Sequence, residues 1–218
     1  MKNILCFGDS NTWGYDVTLY DAKTDSAQRM PYDLRWTGRV QNMLGPEYRI
    51  IEDALNARTC MVEDPYFPHR LGIASLETAL DAQAPIDLVV LQMGVNELKH
   101  MFNLTAGMIA FGVEKLVAAA GQSYYRYPEP KILLIAPAPV RPDIDKMIYG
   151  FSFGPLAYEK SLEFGKLYGD IAKRYGCGYI NCADLNFELN DLDGLHYSRG
   201  DHKKLAEAVA PKIKEMLG

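Results

Sequence analysis

Short apolar runs alternate along the chain with longer stretches in which apolar residues recur at helical spacing. The short runs, bounded by turn residues, predict strands at residues 4–7, 48–52, 88–93, 132–136 and 178–181. The longer stretches predict helices at residues 36–44, 74–83, 105–120, 156–175 and 201–217. Parallel strands need crossover helices of this length, and strands covered on both faces are apolar throughout. The alternation therefore predicts an α/β fold, a three-layer α/β/α sandwich with a parallel sheet of about five strands.

Two segments, residues 16–34 and 137–155, show neither pattern, and we expect both to be long loops without helices or strands. Long loops in a compact domain are often functional. Ligands of an open parallel sheet bind beyond the carboxyl ends of its strands, so we expect chemistry in the loops that follow strands. No repeat, low-complexity tract or linker divides the chain, which predicts a single domain over residues 1–218.

The composition of the 218 residues argues against several classes of protein. With 48% hydrophobic residues the chain is too apolar to be disordered. Lys and Arg number 23 against 28 Asp and Glu, and no basic block is present, so we expect no nucleic-acid partner. The four cysteines lack CxxC spacing, which favours free thiols in a reducing compartment. The sequence shows no secretory signal or membrane span, and we expect a cytoplasmic protein without membrane contact.

The loop after the first strand contains Gly8, Asp9 and Ser10. Gly8 permits a sharp turn. Ser10 is then expected near the start of the next helical turn, where a hydroxyl is exposed and backbone N–H groups are unpaired. This arrangement suits a nucleophile. It also suits a simple helix N-cap, and the tripeptide taken alone favours that second interpretation.

Two further loops after strands carry polar side chains. Asn96 follows the third strand, where its amide can donate a hydrogen bond to a developing oxyanion or bond to the local backbone of a turn. Asp193 and His196 follow the last strand, and Asp193 can orient the imidazole if the chain turns back at Gly194. A histidine in such a loop can equally be a solvated surface residue. Together the three motifs supply a nucleophile, an oxyanion donor and a base with its partner, the set that acyl transfer needs.

The segments at residues 8–10, 94–97 and 193–196 read GDS, GVNE and DGLH. They resemble the first, third and fifth sequence blocks of the SGNH, or GDSL-type, hydrolase superfamily. The second block is similar to residues 52–60, where the family usually has glycine at the position of Ala57. Four longer segments read CFGDSNTWG, RWTGRV, ALNARTC and DGLHYS. They are similar to a narrower branch, the bacterial arylesterase and acyltransferase group that includes perhydrolases.

The resemblance implies a single SGNH hydrolase domain with the flavodoxin-like fold of that superfamily. It implies that Ser10 is the nucleophile, His196 the general base and Asp193 its orienting partner. It implies an oxyanion hole formed by the backbone N–H groups of Ser10 and Ala57 and by the side chain of Asn96. The chain departs from the branch at three positions, which are Asn11 in place of leucine, Glu97 in place of aspartate and Cys60 in place of threonine.

The resemblance also implies an activity, the hydrolysis of short-chain acyl esters of the acetyl type. Some members of the branch pass the acyl group to alcohols or peroxide. We expect a small-molecule ester as substrate, no metal, no cofactor and a homo-oligomeric state, because relatives are often multimeric. Two alternatives remain open: a carbohydrate O-acetyl esterase of the same mechanism, and a non-catalytic carbohydrate-binding module on the same fold. A flavin or nucleotide binder is disfavoured because no GxGxxG motif follows a strand.

Four residues are candidates for the walls of the substrate pocket: Trp13, Asn56, Phe151 and Phe153. Trp13 follows the nucleophile loop and either borders the acyl pocket or is a buried structural residue. Phe151 and Phe153 lie in the second long segment. They either line an acyl or alcohol site or, as we prefer, form a contact between subunits. The remaining histidines lack metal-ligand spacing and are expected at the surface: His69, His100 and His202.

Overall fold

The computed structural model describes residues 1–122 and 126–218. Its strands are β1 (Lys2–Gly8), β2 (Tyr15–Asp21), β3 (Ser26–Arg29), β4 (Tyr48–Ala54), β5 (Leu88–Gln92), β6 (Lys131–Ala136) and β7 (Gly178–Asn181). All but β2 and β3 form one parallel sheet with the strand order β4-β1-β5-β6-β7. The predicted α/β fold with a five-stranded parallel sheet is therefore confirmed.

Helices cover both faces of this sheet. They are α1 (Ser10–Trp13), α2 (Trp36–Leu44), α3 (Gly72–Gln83), α4 (Ala106–Ala120), α5 (Gly150–Phe153), α6 (Ala157–Leu162), α7 (Phe164–Tyr175) and α8 (Arg199–Leu217). Residues of α2 and α8 share one hydrophobic core with the sheet, and residues of α3, α4 and α7 share the other. Among the helices in the described part of the chain, none has both the length and the apolar character needed to cross a membrane.

Strand β1 shows why the buried part of a central strand is a continuous apolar run. Leu5 and Phe7 belong to the core with α3, α4 and α7, whereas Ile4 and Cys6 belong to the core with α2 and α8. All four side chains are fully buried. Successive side chains of a strand point to opposite faces of the sheet, so a strand between two helical layers needs an apolar residue at each step.

The order of the strands places a crevice at the end of β1. After β1 the chain forms β4 on one side of it and then β5 on the other side. The loops that follow these three parallel strands therefore emerge at the same edge of the sheet, on either side of the point where the order reverses. Such a switch point is the usual ligand site of an open α/β sheet.

The expectation of a long loop at residues 16–34 is wrong, because β2 and β3 pair there as an antiparallel hairpin. In β2 the apolar residues Tyr15, Val17 and Leu19 are separated by polar ones, although burial does not follow this alternation, since Asp16 is buried and Leu19 is exposed. A search for continuous apolar runs misses this alternation.

Two other segments contain elements that the prediction did not include. Residues 137–155 contain the short helix α5 and one turn of 3₁₀ helix, Ile144–Lys146, rather than loop alone. Residues 156–175 form α6 and α7 rather than one helix, with Glu163 between them.

Candidate active site

Ser10 is the first residue of α1, directly beyond the carboxyl end of β1. The turn between them requires glycine at position 8, since a Cβ there would lie 2.1 Å from Oγ1 of Thr12. Asp9 is the N-cap, and its side chain accepts a hydrogen bond from the backbone N–H of Asn11 at 2.9 Å. The capping role that the sequence left open thus belongs to Asp9, which leaves the Ser10 hydroxyl available for another contact.

The Ser10 hydroxyl is in hydrogen-bond contact with His196. Nε2 of His196 lies 2.8 Å from Oγ of Ser10, and Nδ1 of the same ring lies 2.5 Å from Oδ2 of Asp193. The three side chains are buried and come from opposite ends of the chain. A carboxylate at Nδ1 favours the tautomer in which Nε2 is free to accept the serine proton. The structure therefore brings the three predicted catalytic residues into one hydrogen-bonded chain.

Asp193 is held as a carboxylate. Burial raises the pKa of Asp193, but its interactions with His196 and the hydrogen bonds that it accepts outweigh burial, and the resulting pKa is lower than usual. Two of those bonds come from the backbone N–H groups of Leu195 and His196, each at 3.0 Å to Oδ1. The turn at Gly194, where φ is +64°, folds the chain back so that one carboxylate meets both the backbone and the imidazole.

The predicted oxyanion donors border the same cavity as Ser10 and His196. Nδ2 of Asn96 donates to the carbonyl of Arg58 at 3.0 Å, and this bond uses only one of the two N–H groups of the amide. Ala57 adopts a φ of +60°, in the left-handed region where the family usually has glycine. An alanine at this φ carries strain. The surrounding contacts must therefore hold this peptide segment in place.

The cavity has a volume of about 670 Å³. Three of the four predicted pocket residues line it: Asn56, Phe151 and Phe153. Trp13 does not, so its expected place in the pocket wall is wrong. The Trp13 ring is half-buried beneath the guanidinium of Arg29, whose Cζ lies 5.2 Å from the ring centroid. The helix α1 that carries it is a single turn, and it ends at Gly14, where φ is +86°.

Two tyrosines that the sequence analysis did not single out enclose the imidazole of His196. Tyr15, from β2, stacks on the ring with centroids 4.4 Å apart and an angle of 28° between the planes. Tyr149, from the segment before α5, meets it edge-on at 6.3 Å. The two phenol oxygens are 2.7 Å apart, so one hydroxyl donates to the other. Tyr15 directly precedes residues 16–34, and Tyr149 lies within residues 137–155, the two segments that show neither helical nor strand pattern.

Charged side chains also line the cavity and were likewise missed. Nζ of Lys99 forms a buried ion pair with Asp64 at 2.6 Å. Nη1 of Arg70 donates to the carbonyl of Asn56 at 3.0 Å. The sequence signal for these residues is weak, since they are single polar positions in loops.

All three departures from the arylesterase and acyltransferase branch lie in hydrogen bonds between the loops that carry the site residues. Oδ1 of Asn11 accepts from the backbone N–H of Tyr197 at 2.9 Å, which ties the nucleophile turn to the histidine loop. The buried carboxyl of Glu97 accepts a hydrogen bond from the backbone N–H of Cys60. Burial raises the pKa of Glu97 to about 7 and raises the pKa of the Cys60 thiol, so that thiol stays protonated. The Glu97 bond joins the segment after Ala57 to the turn that carries Asn96.

One predicted surface residue is in fact internal. His202 is 1% exposed, and its Nδ1 accepts a hydrogen bond from the backbone N–H of Trp36 at 3.2 Å. His69 and His100 are exposed, as expected. Among the described residues no group of three or more His, Cys, Asp or Glu side chains is arranged to hold a metal ion.

A serine, a histidine and an aspartate hydrogen-bonded in series at the carboxyl edge of a parallel sheet are the arrangement of a serine hydrolase with an α/β fold. The family model of the GDSL-like lipase/acylhydrolase family matches residues 6–203, and the chain belongs to this family of hydrolases. The resemblance to the SGNH superfamily is thereby confirmed. A comparison with curated proteins gave no match.

Solved structures with the same fold include several esterases. A carbohydrate acetylesterase from Sinorhizobium meliloti is 35% identical with a TM-score of 0.89, over 99% of this chain and 100% of that one. The native aryl esterase of M. smegmatis is 30% identical with a TM-score of 0.91, over 100% of both chains. A putative arylesterase from Agrobacterium tumefaciens is 27% identical with a TM-score of 0.87, again over 100% of both chains.

Proposed function

We propose that this hydrolase is a serine esterase that cleaves short-chain acyl esters of the acetyl type through an acyl-enzyme on Ser10. The observation that carries the proposal is the hydrogen-bonded series of Ser10, His196 and Asp193, with 2.8 Å and 2.5 Å between the bonded atoms. Similarity to an aryl esterase and to a carbohydrate acetylesterase over the whole chain supports an ester as the substrate.

In the proposed reaction His196 takes the proton of Ser10 at Nε2 as Oγ attacks the ester carbonyl carbon. The Asp193 carboxylate stabilises the imidazolium that forms. The negative charge on the former carbonyl oxygen is met by the N–H groups of Ser10 and Ala57 and by the Asn96 amide. The imidazolium then protonates the departing alkoxide as the C–O bond breaks, which leaves the acyl group on Ser10. Water, activated by His196, attacks this acyl-enzyme in the second half of the cycle and releases the acid.

An alcohol or hydrogen peroxide in place of water would yield a new ester or a peracid, and we include such acyl transfer in the proposal. The apolar part of the cavity wall, which includes Phe153 and Leu195, supports it, because exclusion of bulk water favours a bound acceptor over hydrolysis. Phe151 is 85% exposed at the cavity mouth. An aromatic side chain so exposed supports our further proposal of a homo-oligomer, which the mass of the protein in solution tests.

A carbohydrate O-acetyl esterase of the same mechanism is the second candidate. The observation that favours it is the mixed lining of the cavity. Exposed aromatic rings at Tyr66 and Phe67 line the same cavity as the charged groups of Asp25 and Arg70. Rings of this kind can stack on the apolar face of a sugar while polar groups meet its hydroxyls.

The test is hydrolysis of p-nitrophenyl acetate, its longer homologues and a set of acetylated sugars by the wild type and by Ser10→Ala. A matched control is Ser75→Ala, because Ser75 lies on α3 and its hydroxyl donates to the carbonyl of Leu71. We expect turnover of the short esters by the wild type and the control, and a loss of several orders of magnitude in Ser10→Ala. Added alcohol then measures transfer against hydrolysis. Equal inactivity of all three proteins on every ester would reject the esterase and favour a binding module.

A further inference from the structure

Arg70 contacts the peptide group that joins Asn56 to Ala57. Its Nη1 donates a hydrogen bond to the carbonyl oxygen of Asn56 at 3.0 Å. The N–H of that same peptide group belongs to Ala57, the proposed backbone donor of the oxyanion hole. A trans peptide is planar, with its C=O and N–H pointing in opposite directions. A donor that fixes the carbonyl on one side therefore fixes the direction of the Ala57 N–H on the other.

This peptide needs such a restraint because Ala57 has a φ of +60°. A residue with a Cβ is disfavoured there and would relax toward a negative φ if it were free to do so. Relaxation would swing the N–H away from the oxyanion position. Arg70 is itself anchored, since its carbonyl accepts from the backbone N–H of Thr59 at 3.3 Å and its guanidinium lies 5.8 Å from the ring of Phe67.

The charge of Arg70 strengthens the effect. Arg70 makes no ion pair within residues 1–122 and 126–218, whereas Lys99, another cation of the cavity wall, is paired with Asp64 at 2.6 Å. An arginine is always protonated in a protein, and a hydrogen bond from a charged donor is stronger than a neutral one. Its pull on the Asn56 carbonyl polarises the peptide and makes the Ala57 N–H a better donor to a developing negative charge.

We propose that Arg70 is a positioning residue of the oxyanion hole, acting on the oxyanion through the Asn56–Ala57 peptide. The inference rests on the proposed function, because it requires an oxyanion to form at this place. It differs from a role in substrate binding, which would make Arg70 contact the leaving group directly. The two roles separate in kinetics: a positioned donor acts in the transition state and changes kcat, whereas a contact with the leaving group changes KM.

The experiment compares Arg70→Met with the wild type on two acetyl esters that differ only in the leaving group, p-nitrophenyl acetate and ethyl acetate. Methionine keeps much of the length of the side chain and removes the donor. We expect kcat to fall about 10- to 100-fold on both esters, less than the ~10²–10³ for loss of a donor itself, with KM nearly unchanged. The matched control is Arg49→Met, because Arg49 is exposed at the opposite end of the sheet, in β4 beside Asn3.

Chemical rescue distinguishes positioning from a general structural role. Arg70→Ala leaves space for free guanidinium, and millimolar guanidinium chloride should restore part of its kcat, relative to sodium chloride at equal ionic strength. Arg70→Lys should retain more activity than Arg70→Met, because it keeps a charged donor. The inhibition constant of a boronic acid, which binds serine hydrolases as a tetrahedral adduct, should rise in proportion to the loss of kcat/KM. Thermal unfolding checks that each variant is folded.

Four results would each overturn the inference. In Arg70→Met these are an unchanged kcat, a change in KM alone, or losses of kcat that differ between the two esters. The fourth is failure of guanidinium to restore kcat to a folded Arg70→Ala. The proposed function fails separately. If Ser10→Ala is inactive and Arg70→Met is fully active, the esterase stands and only the role of Arg70 is rejected. If the wild type hydrolyses no ester, both are rejected.

Discussion

The hydrogen bond between Tyr15 and Tyr149 links the β2–β3 hairpin to the segment before α5, directly above the imidazole of His196. Burial raises the pKa of both phenols, so both are neutral near pH 7 and one donates to the other. The oxygen separation of 2.7 Å is the usual length of a hydroxyl hydrogen bond. A neutral bond of this kind contributes about 0.5–1.5 kcal/mol to stability. We expect this hydrogen bond also to hold the Tyr15 ring in its stacked position on His196.

The perturbation is the pair Tyr15→Phe and Tyr149→Phe, each of which removes one oxygen and keeps the ring. Each single variant should lose about 1 kcal/mol of unfolding free energy in urea, and the double variant should lose little more than either single one. The coupling energy is therefore expected at about 1 kcal/mol. If the bond also orients the ring over the base, kcat/KM falls about threefold to tenfold in each single variant, since 1.4 kcal/mol corresponds to a factor of ten.

Tyr15→Leu extends the series because it removes the stacked ring as well. Its kcat should fall below that of Tyr15→Phe, with the acetate ester assay as the readout. Strict additivity of the two phenylalanine substitutions would show that the two hydroxyls do not interact. Full kcat in Tyr15→Leu would show that the ring does not position His196, and would refute the reasoning.

Two further predictions concern the oxyanion hole and the stability of the fold. Asn96→Ala should lower kcat by about 10²–10³ with little change in KM; an effect on KM alone would remove Asn96 from the oxyanion hole. Burial lowers the pKa of His202 from 6.5 to about 3, so the unfolded chain binds a proton that the folded protein does not. Stability is therefore lost as the pH falls from about 6.5 toward 3, by about 2 kcal/mol at pH 5. His202→Asn, whose Oδ1 can still accept from Trp36, should reduce the loss measured by urea unfolding at pH 7 and pH 5, and an unchanged loss would contradict the assignment.

The strands of the parallel sheet were predictable because their burial shows in the sequence of each strand by itself. Strands such as β1 and β5 lie between two helical layers, and residues 4–7 and 88–91 are therefore apolar on both faces, which leaves an unbroken run in the sequence. The hairpin of β2 and β3 escaped the same reasoning because polar residues interrupt its apolar ones, with Asp16 and Thr18 in β2 and the sequence SAQR in β3. No proline marks the break between α6 and α7 at Glu163, and the nearest glycine, Gly165, is already the second residue of α7.

The positions of Ser10, Asn96, Asp193 and His196 were also accessible from the sequence. Each follows a strand of a parallel sheet, and the carboxyl ends of parallel strands lie at the same edge of the sheet. Once the strands are recognised, residues far apart in the chain are known to lie near one another. The distances between them and the pairing of particular atoms are not known from this argument.

The sequence by itself determined the layers, the edge at which chemistry is placed and the residue types that meet there. Only the tertiary structure decided that Trp13 packs beneath Arg29 rather than lining the cavity, that Tyr15 and Tyr149 enclose the imidazole, and that Arg70 bonds to the peptide of Ala57. The physical reason is the range of the forces. Burial imposes a period that repeats along the chain, whereas a single hydrogen bond between two loops depends on distances and angles that no periodic pattern records.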